Sequence, residues 1–179
     1  LYDLKEIGYQ VGAGFMVGSP YQATENLISD IRFLQELQPD MIGIGPFIHH
    51  IDTPFKDKAD GTLSLSLRML SILRLCFPYA LLPSTTALGT IAPNGRELGL
   101  QAGGNVVMPN LSPKEARENY TLYDNKLSTG LENAHSLQAL QESMKAIDYE
   151  IVIDRDVKIN GKEYIAFSTT FNNDLSFVV

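Results

Sequence analysis

Four times within about the first 110 residues, a short apolar run stops at glycine, proline or threonine and gives way to a helical pattern. Residues 9–17 run into Gly18-Ser19-Pro20. Residues 41–44 run into Gly45-Pro46, residues 80–82 into Ser84-Thr85-Thr86, and residues 105–108 into Pro109. After the first run Thr24 is the expected N-cap of a helix, with Leu27, Ile31 and Leu34 on one face. After the second, Leu65, Met69, Ile72 and Cys76 form a stripe that Pro78 ends. A short helix over 95–101 follows the third run and closes at Gly103-Gly104. Strands that are apolar throughout, instead of alternating, are covered on both faces, and helices between them make the sheet parallel. The fold class is therefore α/β. A doubly wound sheet concentrates its site at one switch point, whereas a barrel draws on every strand end. All four ends here carry small or polar groups, which favours the barrel; a barrel needs eight strands, and four are present.

Composition excludes several functions. The net charge of -7 with a pI near 4.9 leaves no basic footprint for nucleic acid. A single cysteine, Cys76, rules out a disulfide framework or a local cysteine cage, and its place in the helical stripe predicts a small buried hydrophobe. No run reaches the roughly 20 apolar residues of a membrane span, and the first residues show no signal-peptide pattern; the expected setting is cytoplasmic and reducing.

The richest stretch is 41–54, MIGIGPFIHHIDTP, where a buried strand delivers a polar loop. His49, His50 and Asp52 invite a metal reading, but neighbouring residues of an extended segment point opposite ways. No second ligand cluster lies nearby in sequence, so loop structure or polar lining is the expectation and no metal ligand is assigned.

Five segments carry a resemblance: GFMVGSP from Gly14, the 41–54 stretch, TTALGT from Thr85, GGNVVMPN from Gly103, and YTLY from Tyr120. In this order and spacing they resemble the carboxyl-terminal half of the HydE family, radical S-adenosylmethionine maturases of [FeFe] hydrogenase within the biotin synthase-like group. The likeness covers about residues 5 to 127. Biotin synthase-like and methylornithine synthase-like enzymes share the architecture and stay open as alternatives, as does a non-catalytic small-molecule binding domain.

The resemblance implies the carboxyl-terminal half, about four strand–helix units, of a (β/α)8 barrel over 1–127, with a helix and hairpin extension over 128–179. It implies S-adenosyl-L-methionine and a 4Fe–4S cluster as cofactors of the whole enzyme. The cluster is held by a Cys-x3-Cys-x2-Cys loop that this sequence lacks, so the chain alone is expected to be inactive. Gly18, Met41 and Ile48 match positions beside the cofactor. Thr85 and Thr86 match a threonine pair suited to the carboxylate of an amino-acid-like substrate, while Met108, Tyr120 and Tyr123 match residues that cover the substrate. Some members carry a second cluster on three cysteines; the matching positions here are Ser128, Ser136 and Ala139, which supply no thiolate, so no second cluster is expected. Other hydrogenase maturases are implied partners.

The tail reads differently. Leu137, Leu140, Met144 and Ile147 predict a helix over 133–147, and residues 149–153 and 164–170 alternate like strands joined through Asn160-Gly161. Half a barrel leaves its outer strands, near Val11 and Val106, with open edges. The expectation is self-association through them or cover from the tail.

Overall fold

The computed structural model describes residues 1–108, 134–159 and 162–171. A short helix α1 (Tyr2–Glu6) precedes β1 (Gly12–Val17), α2 (Thr24–Leu37), β2 (Met41–Pro46) and α3 (Leu63–Cys76). Two short helices, α4 (Thr86–Ile91) and α5 (Gly95–Gln101), come next. Then follow α6 (Ala134–Lys145) and the strands β3 (Tyr149–Ile159) and β4 (Lys162–Phe171).

β1 and β2 are parallel, with Gly12 opposite Met41 and Val17 opposite Pro46. Two further extended segments continue the array: Met41 bridges Leu81, and Pro83 bridges Val106, both in parallel. Backbone bonds fasten each step, Ile42 N–H to Leu81 O at 2.8 Å and Ser84 N–H to Val106 O at 2.8 Å. Each segment thus lies beside its predecessor in the chain, without reversal. That progression is a barrel's; a doubly wound sheet would send one connection back across the array.

The core lies between this array and its helices. Val17, Ile42, Ile44 and Leu82 pack against Leu27 and Leu34 of α2 and against Met69, Leu70 and Leu73 of α3. Each fully buried aliphatic side chain contributes about 1.5–3 kcal/mol. A buried polar pair knits the third and fourth segments: Asn105, 6% exposed, accepts the Leu82 N–H on its Oδ1 at 2.7 Å. Arg74 ties α3 to the entry of the third segment, its Nε donating to Gly103 O at 2.8 Å and a terminal nitrogen to Pro78 O at 2.8 Å. Burial lowers its guanidinium to about 10, so it stays charged at neutral pH.

Two local expectations are corrected. The N-cap of α2 is Ala23, and Thr24 is the first helical residue; Asn26 Oδ1 accepts the Ala23 N–H at 2.7 Å, so the orphan amide is satisfied from inside the helix. Cys76 is exposed. The buried stripe of α3 is Ser66, Met69, Leu70 and Leu73, continued by Phe77, which is rotated by about one residue, ~100°, from the stripe that Cys76 would join. The 95–101 helix ends as expected, in a Schellman closure: Gly104 N–H bonds Gly99 O at 2.9 Å and Gly103, at φ +121, bonds Leu100 O at 3.0 Å. α4 is a helix the periodicity did not announce, being only six residues long.

The tail forms as the pattern predicts, with β3 and β4 antiparallel and Tyr149 opposite Phe171. It is docked on the barrel segment, since Leu140, Met144 and Tyr149 share a buried cluster with Leu100 and Val107. No helix among the described residues is long and apolar enough to cross a membrane.

Candidate functional site

Side chains alternate across a strand, and partners in a parallel register share a face. Val17, Ile42, Ile44 and Leu82 face the helices. The opposite, inward face is therefore carried by the other parity: Gly12, Gly14 and Met16 on β1, with Met41, Gly43 and Gly45 beside them. The bridges extend it to Leu81 and Pro83 and to Val106. Two residues further along, Thr85 and Met108 end the same face.

This face changes character along the strands. At the amino end Met41 packs on Leu81 and Val106, and it is closed. Midway, a Cβ built on Gly43 meets nothing within 4 Å. At the carboxyl end Met16 and Met108 are 58% and 52% exposed, and the face is open. Thr85 lies between them as the N-cap of α4, yet its side chain makes no capping bond. Its Oγ1 is buried and has no hydrogen-bond partner among the described residues. A Cβ on Gly45 would stand 2.9 Å from that oxygen, so the glycine makes the room the hydroxyl occupies. A buried hydroxyl without a partner costs free energy, and this one stands at the carboxyl end of the strand array.

The loops after β1 and β2 are stitched together above this face. Phe47 N–H bonds Val17 O, and Gly61 N–H bonds Phe47 O, both at 2.8 Å. Gly18 has φ +78, and a Cβ there would come 2.7 Å from the Gly61 Cα, so both its conformation and its surroundings require glycine. The turn that follows is held by Gln22, whose Oε1 accepts the Gly18 N–H at 2.7 Å while its Nε2 donates to Met16 O at 2.8 Å. Farther out, Lys58 sits 5.1 Å from the Tyr21 ring centroid, and Phe47 meets Phe55 edge-on at 6.1 Å.

The structure brings Gly18, Ile48, Thr85, Thr86 and Met108 to the carboxyl end of the array, where β1, β2 and the third and fourth segments finish. Met41 does not join them. It begins β2, four residues before Gly45, about 13 Å away at the usual rise. Tyr120 and Tyr123 lie outside the described residues, as does Ser128; Ser136 and Ala139 fall on α6. His49 is engaged locally: its Nδ1 and its N–H both meet Asp60 Oδ1, at 2.7 and 2.9 Å. His50 Nδ1 accepts the Asp52 N–H at 3.1 Å. Among the described residues no three His, Cys, Asp or Glu side chains gather to hold a metal. Sequence reasoning missed Met16, Gly45, Gln22 and Gly61. Met16 and Gly45 were legible in principle from strand parity, whereas the partners of Gln22 and Gly61 come from tertiary contacts.

An open, consecutively ordered parallel array with helices packed on one face is a segment of a (β/α)8-type barrel. No family model matches the chain. Over 127 residues it is 48% identical to the [FeFe] hydrogenase maturase subunit HydE of Thermotoga maritima, an alignment covering 71% of this chain and 36% of that protein. It is 32% identical over 123 residues to 3-methylornithine synthase of Methanosarcina barkeri, covering 69% and 34%. The crystal structure of methylornithine synthase (PylB) superposes with a TM-score of 0.59 at 25% identity, covering 80% of this chain and 41% of that one. The chain is thus similar over about 70% of its length to the HydE maturase subunit and to 3-methylornithine synthase, and it shares the barrel fold of methylornithine synthase. It spans about a third of the length of these curated relatives.

The residues present fit the two cofactors unequally. The open rim with its unpaired Thr85 hydroxyl suits a polar small molecule. A 4Fe–4S cluster needs thiolates, and the sole cysteine, Cys76, ends α3 on the helix layer; this chain does not hold the cluster.

Proposed function

We propose that the chain supplies four consecutive strand–helix units to a HydE-type radical S-adenosylmethionine enzyme of the cytoplasm, and that its inward face is the wall of the cofactor and substrate cavity. Bound cofactor and cluster supply an adenosyl radical; the cluster's ligands belong to a part of the enzyme outside this chain. The observation that carries the reading is the inward row Met16, Gly45, Thr85 and Met108, open at the carboxyl rim and holding one unpaired hydroxyl. In this reading Thr85 donates to a carboxylate oxygen of an amino-acid-like substrate, with Thr86 beside it. Gly18 and Ile48 flank the cofactor, Met108 and the tyrosines at 120 and 123 cover the substrate, and Met41 is the floor beneath. Residues 1–127 form the barrel portion and 128–179 an extension.

The coding sequence upstream of Leu1 tests this. A Cys-x3-Cys-x2-Cys loop is expected there, and the reconstituted full product should release 5′-deoxyadenosine from S-adenosylmethionine, whereas the 179-residue chain should release none. An upstream region without such cysteines, or a full product that leaves the cofactor intact, refutes the proposal. A methylornithine synthase-type activity is the second reading, favoured by the superposition over 80% of the chain; formation of 3-methylornithine by the full product would select it. Association with other hydrogenase maturases belongs to the first reading.

A further inference from the structure

We infer that Gln22 is a positioning residue that sets the rim of the cavity by clamping the end of β1; the inference rests on the cavity reading proposed above. One side-chain amide spans the last step of the strand, donating to Met16 O at 2.8 Å and accepting from Gly18 N–H at 2.7 Å. Between these two atoms lies Val17, fully buried on the opposite face, whose own carbonyl is taken by Phe47 N–H. The peptides on both sides of Val17 are therefore fixed by one side chain that comes from the turn and not from the array. Two consequences follow at the site. Met16, 58% exposed, is held with its side chain on the inward face, in register with Gly45. Gly18 is held at φ +78 with no room toward Gly61, which keeps the β1 turn against the loop that follows β2.

The clamp contributes little to the core. Gln22 is half-buried and its bonds are at the surface or part-buried, so truncation leaves no apolar cavity. Both bonds are to backbone atoms at the end of β1, so their loss frees Met16 and Gly18 before it touches the core. A ligand that needs this rim in one geometry must re-order it when the clamp is gone, so affinity falls while the fold stands.

The test uses the full-length protein with its cluster-bearing part, titrated calorimetrically with S-adenosylmethionine in the absence of reductant, so that binding is read without turnover. Q22A should bind about tenfold more weakly, the equivalent of losing one to two such bonds. In turnover, KM for the cofactor should rise by a similar factor with kcat within about twofold. Q22E keeps the acceptor for Gly18 but sets a carboxylate oxygen against Met16 O; it should bind no better than Q22A, whereas a purely structural role for the Gly18 bond predicts rescue. Amide exchange at Gly18 should quicken in Q22A. Binding by Q22A within about twofold of the unaltered protein, or rescue by Q22E, overturns the clamp. Failure of the unaltered protein to bind overturns instead the cavity reading beneath it.

Discussion

Gly61→Ala and Gly43→Ala add the same methyl group to two glycines with opposite surroundings. A Cβ on Gly61 would lie 2.2 Å from Val17 O, 2.9 Å from Phe47 N and 3.3 Å from Pro46 Cα. All three are backbone atoms, so no side-chain rotation relieves the overlap. The loop must move off, stretching the 2.8 Å bonds Gly61 N–H to Phe47 O and Phe47 N–H to Val17 O. Overpacking of this kind costs about 1–3 kcal/mol, and stretching the two hydrogen bonds without losing them adds about 1 kcal/mol together, so we expect a loss of about 2–4 kcal/mol. For a chain of this size that lowers the melting midpoint by about 5–15 °C. On Gly43 the methyl meets nothing within 4 Å, and replacing a strand glycine lessens the entropy lost on folding; G43A should be as stable as the parent or more stable by about 0.5–1 kcal/mol. Its methyl projects into the proposed cavity, so ligand affinity should fall instead. Denaturant titration of the two variants reads the stability difference directly. Equal stability of G61A and the parent, or a G43A as damaged as G61A, would refute the assignment of inward and stitched positions.

Thr85→Val removes an oxygen that has no partner among the described residues, and should leave stability unchanged or raise it by about 1 kcal/mol while weakening binding of the proposed carboxylate ligand; a clear destabilisation would show that the hydroxyl has a structural bond after all. Asn105→Ala strands the buried Leu82 N–H and should cost about 1–3 kcal/mol by chemical denaturation, more than Asn105→Asp, which keeps the acceptor. Tyr2, Ile7 and Tyr9, which precede β1 in the chain, are 53%, 70% and 64% exposed, so the isolated chain should self-associate, and Ile7→Glu with Tyr9→Glu should lower the mass seen by light scattering. A parent chain that is monomeric at high concentration would contradict this.

Local and periodic features of this protein were set by its sequence. Runs such as 41–44 were legible as strands, but among the described residues they are buried on one face only, Ile42 and Ile44 buried and Met41 and Gly43 half-buried; Gly103 closes its helix at φ +121, which glycine adopts readily. Glycine and proline at the strand ends were legible for the same reason, since backbone geometry constrains those positions. Tertiary structure decided what depends on who stands opposite. Register turned Met16, Gly45, Thr85 and Met108 into one inward row, and set Met41, which opens the same stretch of sequence as Gly45, at the closed end of its strand. Rotation of α3 by about one residue exposed Cys76, because the core selected Phe77 at the margin of the stripe. Gly61 looks like any loop glycine until Val17 and Phe47 cross it, and Thr85 like any N-cap until its hydroxyl is found without a bond. A sequence pattern records what one residue asks of its neighbours along the chain; contacts across the fold are a property of pairs far apart in it, and only packing fixes them.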